Sequence, residues 1–352
     1  MTQILVAGEA LVDFIPETEG PLPTVETFHR RAGGAPANVA VGLARLGTSP
    51  LLWTRVGDDP FGEFLCETLT DNGVDDRYVM RDPDAKTSLV FVGLDSDAVS
   101  SFSFHRDDTA DTRMEPGTIP DGTLSTVNWV HAGGVTLTSG SSREATFELL
   151  ERAGSREDVV VSFDPNARPE LFEGHELGAS FERAFRSAGV VKTTVEDLQV
   201  AGLVPSETTN DDAAVVAETV CEYGPHTALV TRGADGSLVR AEPEAPWNPT
   251  NDPLVVEHPG YSVDAVDTTG AGDAFTAGSI AALSGAIGPN AESRTTNDGT
   301  GGVGVEDEPH DRLRETLAFA NAVAARSTTG RGAMSSLPTR AAVGSFRDRA
   351  SR

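Results

Sequence analysis

Apolar runs of four or five residues recur along this chain and alternate with stretches of helical spacing, and that alternation limits the possible folds more than any other feature. Ile4 to Ala7, Val127 to His131, Val159 to Phe163, Gly189 to Lys192 and Thr227 to Thr231 read as buried strands. Between them, Pro36 to Leu46 places Ala40, Leu43, Ala44 and Leu46 on one helical face, and 61 to 69 does the same with Phe61, Phe64, Leu65 and Leu69. The stretches 143–153, 176–186 and 211–223 are also helical in pattern. Strands apolar on both sides need helices above and below, so the pattern predicts an α/β chain with a mostly parallel sheet covered on both faces. Thr87 to Leu94 and Ser101 to Phe104, around the turn Asp95-Ser96-Asp97, predict a small sheet inserted into that frame. Two segments break the rhythm: the Pro-rich stretch 241–253, and 285–310, rich in Gly, Asn, Thr, Asp and Glu. Both read as surface loops, and the second lacks the apolar residues that would order it.

Charge narrows the partners. The 352 residues hold 54 Asp and Glu against 27 Lys and Arg, a formal net charge of −27, and the lysines are Lys86 and Lys192 alone. Such a field repels phosphate backbones and anionic headgroups, and the cluster His29-Arg30-Arg31 runs straight into Ala32-Gly33-Gly34 without forming a basic stripe. Nucleic acid and membrane surfaces are therefore discarded as partners. The acidic surplus with almost no lysine predicts a cytoplasm rich in salt, where counterions screen the self-repulsion. Cys66 and Cys221 lie far apart with no C-x-x-C, which argues against a disulfide framework, zinc cluster or redox pair and makes each an ordinary core thiol. The N-terminus lacks a basic region and no apolar run is long enough to span a bilayer, so the expected location is cytoplasmic.

The most informative stretch is Val266-Asp267-Thr268-Thr269-Gly270-Ala271-Gly272-Asp273-Ala274-Phe275, which leads into a helical run of small residues ending near Leu283. Gly270 and Gly272 allow close backbone approach, and the helix that follows opens with free N–H groups and the positive end of its dipole. That combination binds an anion. An acid inside such a site opposes the ligand's charge, unless it accepts the proton of a hydroxyl that attacks a phosphoryl group. Asp273 is therefore the candidate general base, although an ordinary helix start also accommodates an acid in its first turn. No Gly-Lys-Ser/Thr, no H-E-x-x-H and no G-x-G-x-x-G after the first strand is present. Earlier, Gly33 and Gly34 with Asn38 at a helix start suit a polyol, or equally a Gly turn before a Pro-started helix. Asp13 could accept from two sugar hydroxyls or simply be solvated.

Taken together, Gly33-Gly34-Ala35-Pro36-Ala37-Asn38, Gly57-Asp58-Asp59-Pro60-Phe61-Gly62 and Asp267-Thr268-Thr269-Gly270-Ala271-Gly272-Asp273 resemble the two signature regions of the ribokinase-like (PfkB-type) carbohydrate kinases. The resemblance implies one three-layer α/β/α domain over 1–340, with a small β lid from segments near 10–30 and 85–106. In it, ATP phosphorylates a sugar hydroxyl. Asp273 would be the base and the N–H groups of Gly270, Ala271 and Gly272 the anion hole. Asp13, Gly33, Gly34 and Asn38 would hold the sugar, with Arg106 reaching down from the lid. Thr231-Arg232-Gly233-Ala234-Asp235-Gly236 is similar to the family's T-x-G-x-x-G stretch beside the ATP phosphates, so Thr231, Gly233 and Gly236 are implied nucleotide residues. Asn321 matches its adenine-pocket helix. Read alone, the first is a tight turn between strands and the second a polar residue near a helix N-terminus.

Asp267 and Thr269 fall where many members bind potassium, and a homodimer through the lid is implied. The family's N-x-x-E near the magnesium is replaced by Thr194-Val195-Glu196-Asp197. The shorter Asp197 would reach Mg²⁺ through water, with Glu196 as the alternative. Within the family, Asp164-Pro165-Asn166-Ala167-Arg168 looks like the D-P-N-x-R segment of fructokinases and 2-keto-3-deoxygluconate kinases, with Asn166 and Arg168 facing the ligand crevice. Phe104-His105-Arg106 before Ala110-Asp111 resembles fructokinases, as does Thr at 194. Fructose is the favoured substrate. A keto-acid would need cations beyond Arg106 and Arg168, and a nucleoside would need an aromatic clamp near the lid. A sugar- or nucleotide-sensing protein on the same fold is the non-enzymatic alternative, and a dinucleotide oxidoreductase lacks its fingerprint.

Overall fold

The first strand shows how the layers arise. In β1 (Ile4–Ala7), Ile4 and Val6 join one apolar core while Leu5 and Ala7 join another, and all four are fully buried. Side chains of a strand alternate between faces, so a strand apolar at every position sits between two cores. β4 (Leu51–Gly57) and β10 (Val190–Thr193) split in the same way, Leu52 from Leu51 and Val190 from Val191. The computed structural model describes residues 3–18, 20–94, 100–172, 176–285 and 309–350. The turn 95–97 and nearly all of 285–310 thus lie outside the described residues.

Among the described residues, the large sheet has nine strands in the order β13 (Leu254–His258), β12 (Ser237–Ala241), β11 (Thr227–Thr231), β10, β9 (Val160–Asp164), β8 (Trp129–Gly133), β1, β4 and β5 (Asp75–Asp82). From β11 to β5 every pairing is parallel, and β12 and β13 add an antiparallel edge. One face is covered by α1 (Ala35–Arg45), α8 (Ala271–Leu283) and α9 (Pro309–Ser327), the other by α4 (Gly140–Gly154), α5 (Glu176–Ser187) and α7 (Ala213–Glu222). This is the expected α/β/α arrangement. The chain runs outward from β1 to β4 and β5 and then returns to the far side of β1 for β8, so the direction of winding reverses between β1 and β8. A crevice opens at the C-terminal ends of the strands at such a reversal. No described helix is long and apolar enough to cross a membrane.

A second sheet orders β3 (Phe28–Gly33), β2 (Leu11–Pro16), β6 (Leu89–Leu94) and β7 (Ser100–His105). Two antiparallel hairpins meet in a parallel β2–β6 pairing. Phe14 stacks on Phe91 at 4.9 Å between ring centroids, and Phe61 of α2 (Pro60–Asp71) meets Phe14 edge-on at 5.9 Å, which fastens this sheet to the main body.

Two expectations need correction. The Pro-rich stretch is not a loose surface loop: Ala245, Trp247 and Asn248 are buried, and Asn248 Nδ2 donates to Ala241 O and Asp252 O. Trp247 stacks on Trp129 at 6.4 Å and packs edge-on against His226. Cys66 and Cys221 are free thiols at the margins of the cores, only half-buried. Removing the indole would open a cavity under β8, so Trp247→Ala should cost about 3–5 kcal/mol and lower the melting temperature by several degrees. A change of less than about 0.5 kcal/mol would mean that the segment merely rests on the surface.

Candidate active site

Two helix N-termini meet at the crevice. Gly34 caps α1 at φ +99°, Pro36 occupies its first turn, and the Ala35 N–H donates to Glu9 Oε1 at 3.1 Å. Gly270 caps α8 in the left-handed region (φ +76°), where a Cβ would come within 2.6 Å of Ala333 Cβ, so glycine is required there on both counts. These starts place Asn38 and Asp273 in facing first turns, and Asn38 Nδ2 donates to Asp273 Oδ2 at 2.8 Å. A carboxylate can only accept, so the amide orientation is fixed and Asn38 Oδ1 faces away; it is buried with no partner among the described residues, an acceptor waiting for a donor.

Asp13, on β2, comes close by. A Cβ on Gly33 would lie 2.0 Å from Asp13 Oδ2, so Gly33 makes room for the carboxylate that faces the cavity. Burial pushes Asp273 up to about 7; Asn38 opposes this, Asp164 adds to it, and Lys192 and Arg168 oppose it. Burial and the Asp273 charge also raise Asp13 to about 7, against Arg168.

The end of β9 completes the floor. Asp164 Oδ1 accepts from the Asn166 N–H at 3.1 Å, and Asn166 takes the left-handed conformation (φ +37°) that this residue type tolerates. Arg168 Nη1 donates to Ala167 O at 2.8 Å, and its guanidinium lies 5.5 Å from the centre of the Phe102 ring. Lys192, at the end of β10, pairs with Asp164 Oδ2 at 3.1 Å, an oxygen that also accepts from Thr276 Oγ1. A cavity of about 460 Å³ opens in front of Asp164, with Leu11, Asp13, Val90, Phe102 and Phe104 of the small sheet facing Asn38, Asn166, Arg168, Lys192 and 268–273. Its size is that of a small-molecule site.

Several expected residues sit differently from their reading in sequence. Arg106 does not line the cavity: Nε pairs with Asp111 Oδ2 at 2.6 Å, Nη1 donates to Thr138 Oγ1 at 2.5 Å, and Nη2 is buried with no partner among the described residues. Its charge opposes the effect of burial on Glu9, whose carboxyl is nonetheless raised to about 7. The Ala271 N–H donates to Thr268 O at 3.1 Å, whereas those of Gly270, Gly272 and Asp273 have no acceptor among the described residues. Thr231, Gly233 and Gly236 form the β11–β12 turn, where Thr231 Oγ1 donates to Thr193 O at 3.4 Å, next to the cavity-lining Thr194. Asn321 lies in the middle of α9, not near its start, and binds Ser237 Oγ at 2.7 Å and Leu317 O at 2.8 Å.

Asp197 Oδ1 accepts from Ala167 N, and Oδ2 from Thr194 N and Oγ1 in a capping box at the start of α6 (Val195–Val200), while Glu196 is exposed on the cavity rim. Asp267 binds the Thr269 and Gly332 N–H groups, joining two loops. Among the described residues no cluster of three His, Cys, Asp or Glu is placed to hold a metal.

Sequence reading missed Lys192, Asp164 and Glu9, and missed Phe102 and Phe104, which supply the aromatic lining thought absent. Lys192 is also a cation beyond Arg106 and Arg168. Its signal was available: it is one of two lysines in a chain whose other basic residues are arginines.

Comparison with known proteins agrees with this geometry. Residues 1–340 match the family model described as pfkB family carbohydrate kinase. A fructokinase of Klebsiella pneumoniae is 35% identical over 338 residues, 96% of each chain. The fructokinase of Xylella fastidiosa with bound ATP superposes with a TM-score of 0.80 at 31% identity, covering 99% of both chains. A double-mutant fructokinase of Vibrio cholerae, in a form binding fructose, ADP and potassium, gives 0.75 at 32% identity and 98% coverage of both. With full-length similarity of this extent, the chain belongs to the pfkB family of carbohydrate kinases and is a sugar kinase, a phosphotransferase acting on an alcohol group.

Proposed function

We propose that this protein is an ATP-dependent fructokinase. The observation that carries the proposal is the buried Asn38–Asp273 pair at the free N-terminus of α8, with the Asp13 carboxylate nearby in the same cavity. Asp13 and Asn38 Oδ1 are acceptors for sugar hydroxyls, and Asn166 and Arg168 extend the polar lining. The fructokinase relatives support fructose over 2-keto-3-deoxygluconate. The additional cation, Lys192, is tied to Asp164 beneath Gly272, on the phosphoryl side of the cavity, and so does not favour the keto-acid.

In the reaction, the sugar oxygen forms a bond to the γ-phosphorus as the bond to the β,γ-bridging oxygen breaks, and ADP leaves with that electron pair. Asp273 accepts the hydroxyl proton. The N–H groups of Gly270, Gly272 and Asp273 face the charge that builds on the transferred group, inside a cavity that the small sheet closes as a lid. Thr231, Gly233, Gly236 and Asn321 shape the nucleotide side. A magnesium ion accompanying ATP would neutralise phosphate charge; Glu196, whose carboxylate has no partner among the described residues, and Asp197 through water are the groups that would meet its hydration shell. Asp267 and Thr269 would hold potassium, since each Asp267 oxygen accepts only one N–H and keeps a lone pair free.

An ADP-release assay with Mg-ATP in molar KCl should show kcat/KM for fructose at least about tenfold above that for 2-keto-3-deoxygluconate; the reverse order would reassign the substrate. In the same assay, kcat/KM should rise with pH through about 7 as Asp273 loses its proton, and Asp273→Asn should lower kcat by about 10² or more. Near-normal turnover by that variant would remove Asp273 from the base role.

Stability should move the opposite way. Folded Asp273 holds its proton up to about 7, against 3.8 for the free group, so its contribution is full below about pH 4 and is lost as pH rises through 7. Asp273→Asn should therefore melt above the parent by roughly 2–5 °C at pH 8, with the gap closing toward pH 5. A gap independent of pH would mean that the carboxyl is not desolvated. The net charge of −27 also suits a high-salt setting, and the melting temperature should climb between about 0.1 and 2 M KCl; a fall would refute this.

A further inference from the structure

We infer that Glu9 and Arg106 are positioning residues of the transfer: they sit in the hinge that joins the small sheet to the body, and they hold that sheet in register over the cavity when Arg106 Nη2 donates to Glu9 Oε2. This rests on the kinase reading above and gives a role to two buried groups that the reaction itself does not use.

Chain order makes the hinge. Among the described residues the small sheet is joined to the body by four crossings: 8–10 between β1 and β2, Gly34 between β3 and α1, 83–88 between β5 and β6, and 106–109 between β7 and the short turn Ala110–Arg113. Movement of the sheet against the body bends all of them together. Hydrogen bonds tie them in pairs. Glu9 Oε1 accepts from the Ala35 N–H at 3.1 Å, joining the first crossing to the second. The Val12 N–H donates to Ser88 O at 3.0 Å, joining the first to the third. The third meets the fourth where Ser88 Oγ donates to Asp111 Oδ1 and the Ala110 N–H donates to Lys86 O at 2.9 Å. Arg106 then anchors the fourth crossing to the body, through Asp111 and through Thr138 between β8 and α4, and Ser142 Oγ of α4 donates to Asp111 O.

The link between the first crossing and the fourth is the one left open. Glu9 is 2% exposed and Arg106 5%, yet Glu9 Oε2 and Arg106 Nη2 are buried with no partner among the described residues. One is an acceptor and the other a donor. The Arg106 charge acts on the Glu9 carboxyl against the upward push of burial, although no ion pair joins the two groups. Two complementary polar atoms unpaired in a dry place are costly, and a small rotation of the crossings that brings them together removes both costs at once. Glu9 also lines the cavity beside Asp13 and Gly34, so a shift here reaches the groups proposed to hold the sugar.

A pair that merely supported the fold would lower stability and leave the folded enzyme's chemistry alone. The test uses the full chain and reads fructose kinetics, the ratio of ADP released to sugar phosphate formed, and AMP-PNP affinity by calorimetry. Glu9→Gln keeps the volume but replaces one acceptor by a donor, so that either the Ala35 N–H or Arg106 Nη2 faces an amide N–H. It should raise the KM for fructose at least about tenfold and lift the ADP-to-product ratio to about two or more, as water enters beneath a mispositioned sheet. AMP-PNP affinity should stay within about threefold, because the hinge lies away from the nucleotide side. If the fructose KM and the product ratio stay within about twofold of the parent, or AMP-PNP weakens as much as fructose, the role falls.

Arg106→Lys keeps the charge but offers one nitrogen where the guanidinium spans several partners, and should reproduce the pattern of Glu9→Gln. The double variant should raise the fructose KM no more than about threefold beyond the stronger single change; fully multiplicative effects would mean that the two residues do not act through one contact. Should Arg106→Lys fail to fold with Asp111 left badly paired, the near-isosteric Glu9→Gln decides alone. Amide hydrogen exchange without ligand separates this inference from the fructokinase reading. In Glu9→Gln, exchange in β2 and β6 should be at least about fivefold faster than in the parent, with β1 and β8 unchanged; equal rates in β2 and β6 would overturn the hinge role. If the parent turns over no sugar, the fructokinase reading falls and the exchange comparison still reports on the hinge.

Discussion

The hydrogen bond from Asn38 to Asp273 joins residues 235 positions apart and fixes the meeting of two helices whose N-termini must face one ligand. That meeting depends on close packing below it. A Cβ on Gly42 would come within 2.8 Å of Ala277 Cβ, so α1 and α8 can approach only because both carry small residues at the contact. Both helices also pack into the same core as Ile4 and Val6, so the strand that begins the chain supports both sides of the site. Pulling α1 away would break the hydrogen bond, free the Asp273 carboxylate and open the floor of the cavity in one movement. The apolar core and the reactive acid are in this sense one construction.

Acidic groups make such a site costly. Asp13, Asp197 and Asp273 line a half-enclosed space with Asp164 buried behind Lys192, and Arg168 and Lys192 are the cations that line it. Three devices contain the repulsion. Asp197 spends its oxygens on backbone and hydroxyl donors of the Thr194 turn. Asp164 is held by Lys192 and Thr276. Asp13 and Asp273 receive less help and remain easily protonated, with pKa values near 7. A base raised in this way is a stronger proton acceptor once ionised, and near neutrality it is still largely available.

Most of the architecture is legible in sequence because it rests on periodicity. The strands buried on both faces, β1, β8, β9, β10 and β11, are continuous apolar runs, and each appears within two residues of its reading at either end. The less visible strands are those with mixed surroundings. Phe28-His-Arg-Arg-Ala-Gly33 forms β3 although its middle is exposed, and edge strand β5 carries Asp75, Asp76, Arg77, Arg81 and Asp82. The motif residues Asn38 and Asp273 were readable because glycines and helix starts announce them. Their pairing was not, since nothing local relates positions so far apart. Arg106 and Trp247 illustrate the same limit: whether a guanidinium enters a cavity or binds a neighbouring Asp111, and whether a Pro-rich loop buries an indole, is decided by tertiary neighbours.

A last consequence joins the surface to the interior. A protein of charge −27 repels ATP at long range, and an acidic cavity adds to this at short range. The two contributions respond differently to salt. Surface charges lie in water, where the screening length falls to about 3 Å at 1 M ionic strength, so their repulsion nearly disappears in brine. The Lys192 ammonium and the N–H groups at the start of α8 lie at the floor of a half-enclosed cavity, with Lys192 itself buried. Their attraction is screened far less. Raising salt therefore removes the unfavourable part of the field while leaving the favourable part nearly intact, and the acidic exterior is compatible with an anion-binding interior because the two are separated by a layer of buried side chains.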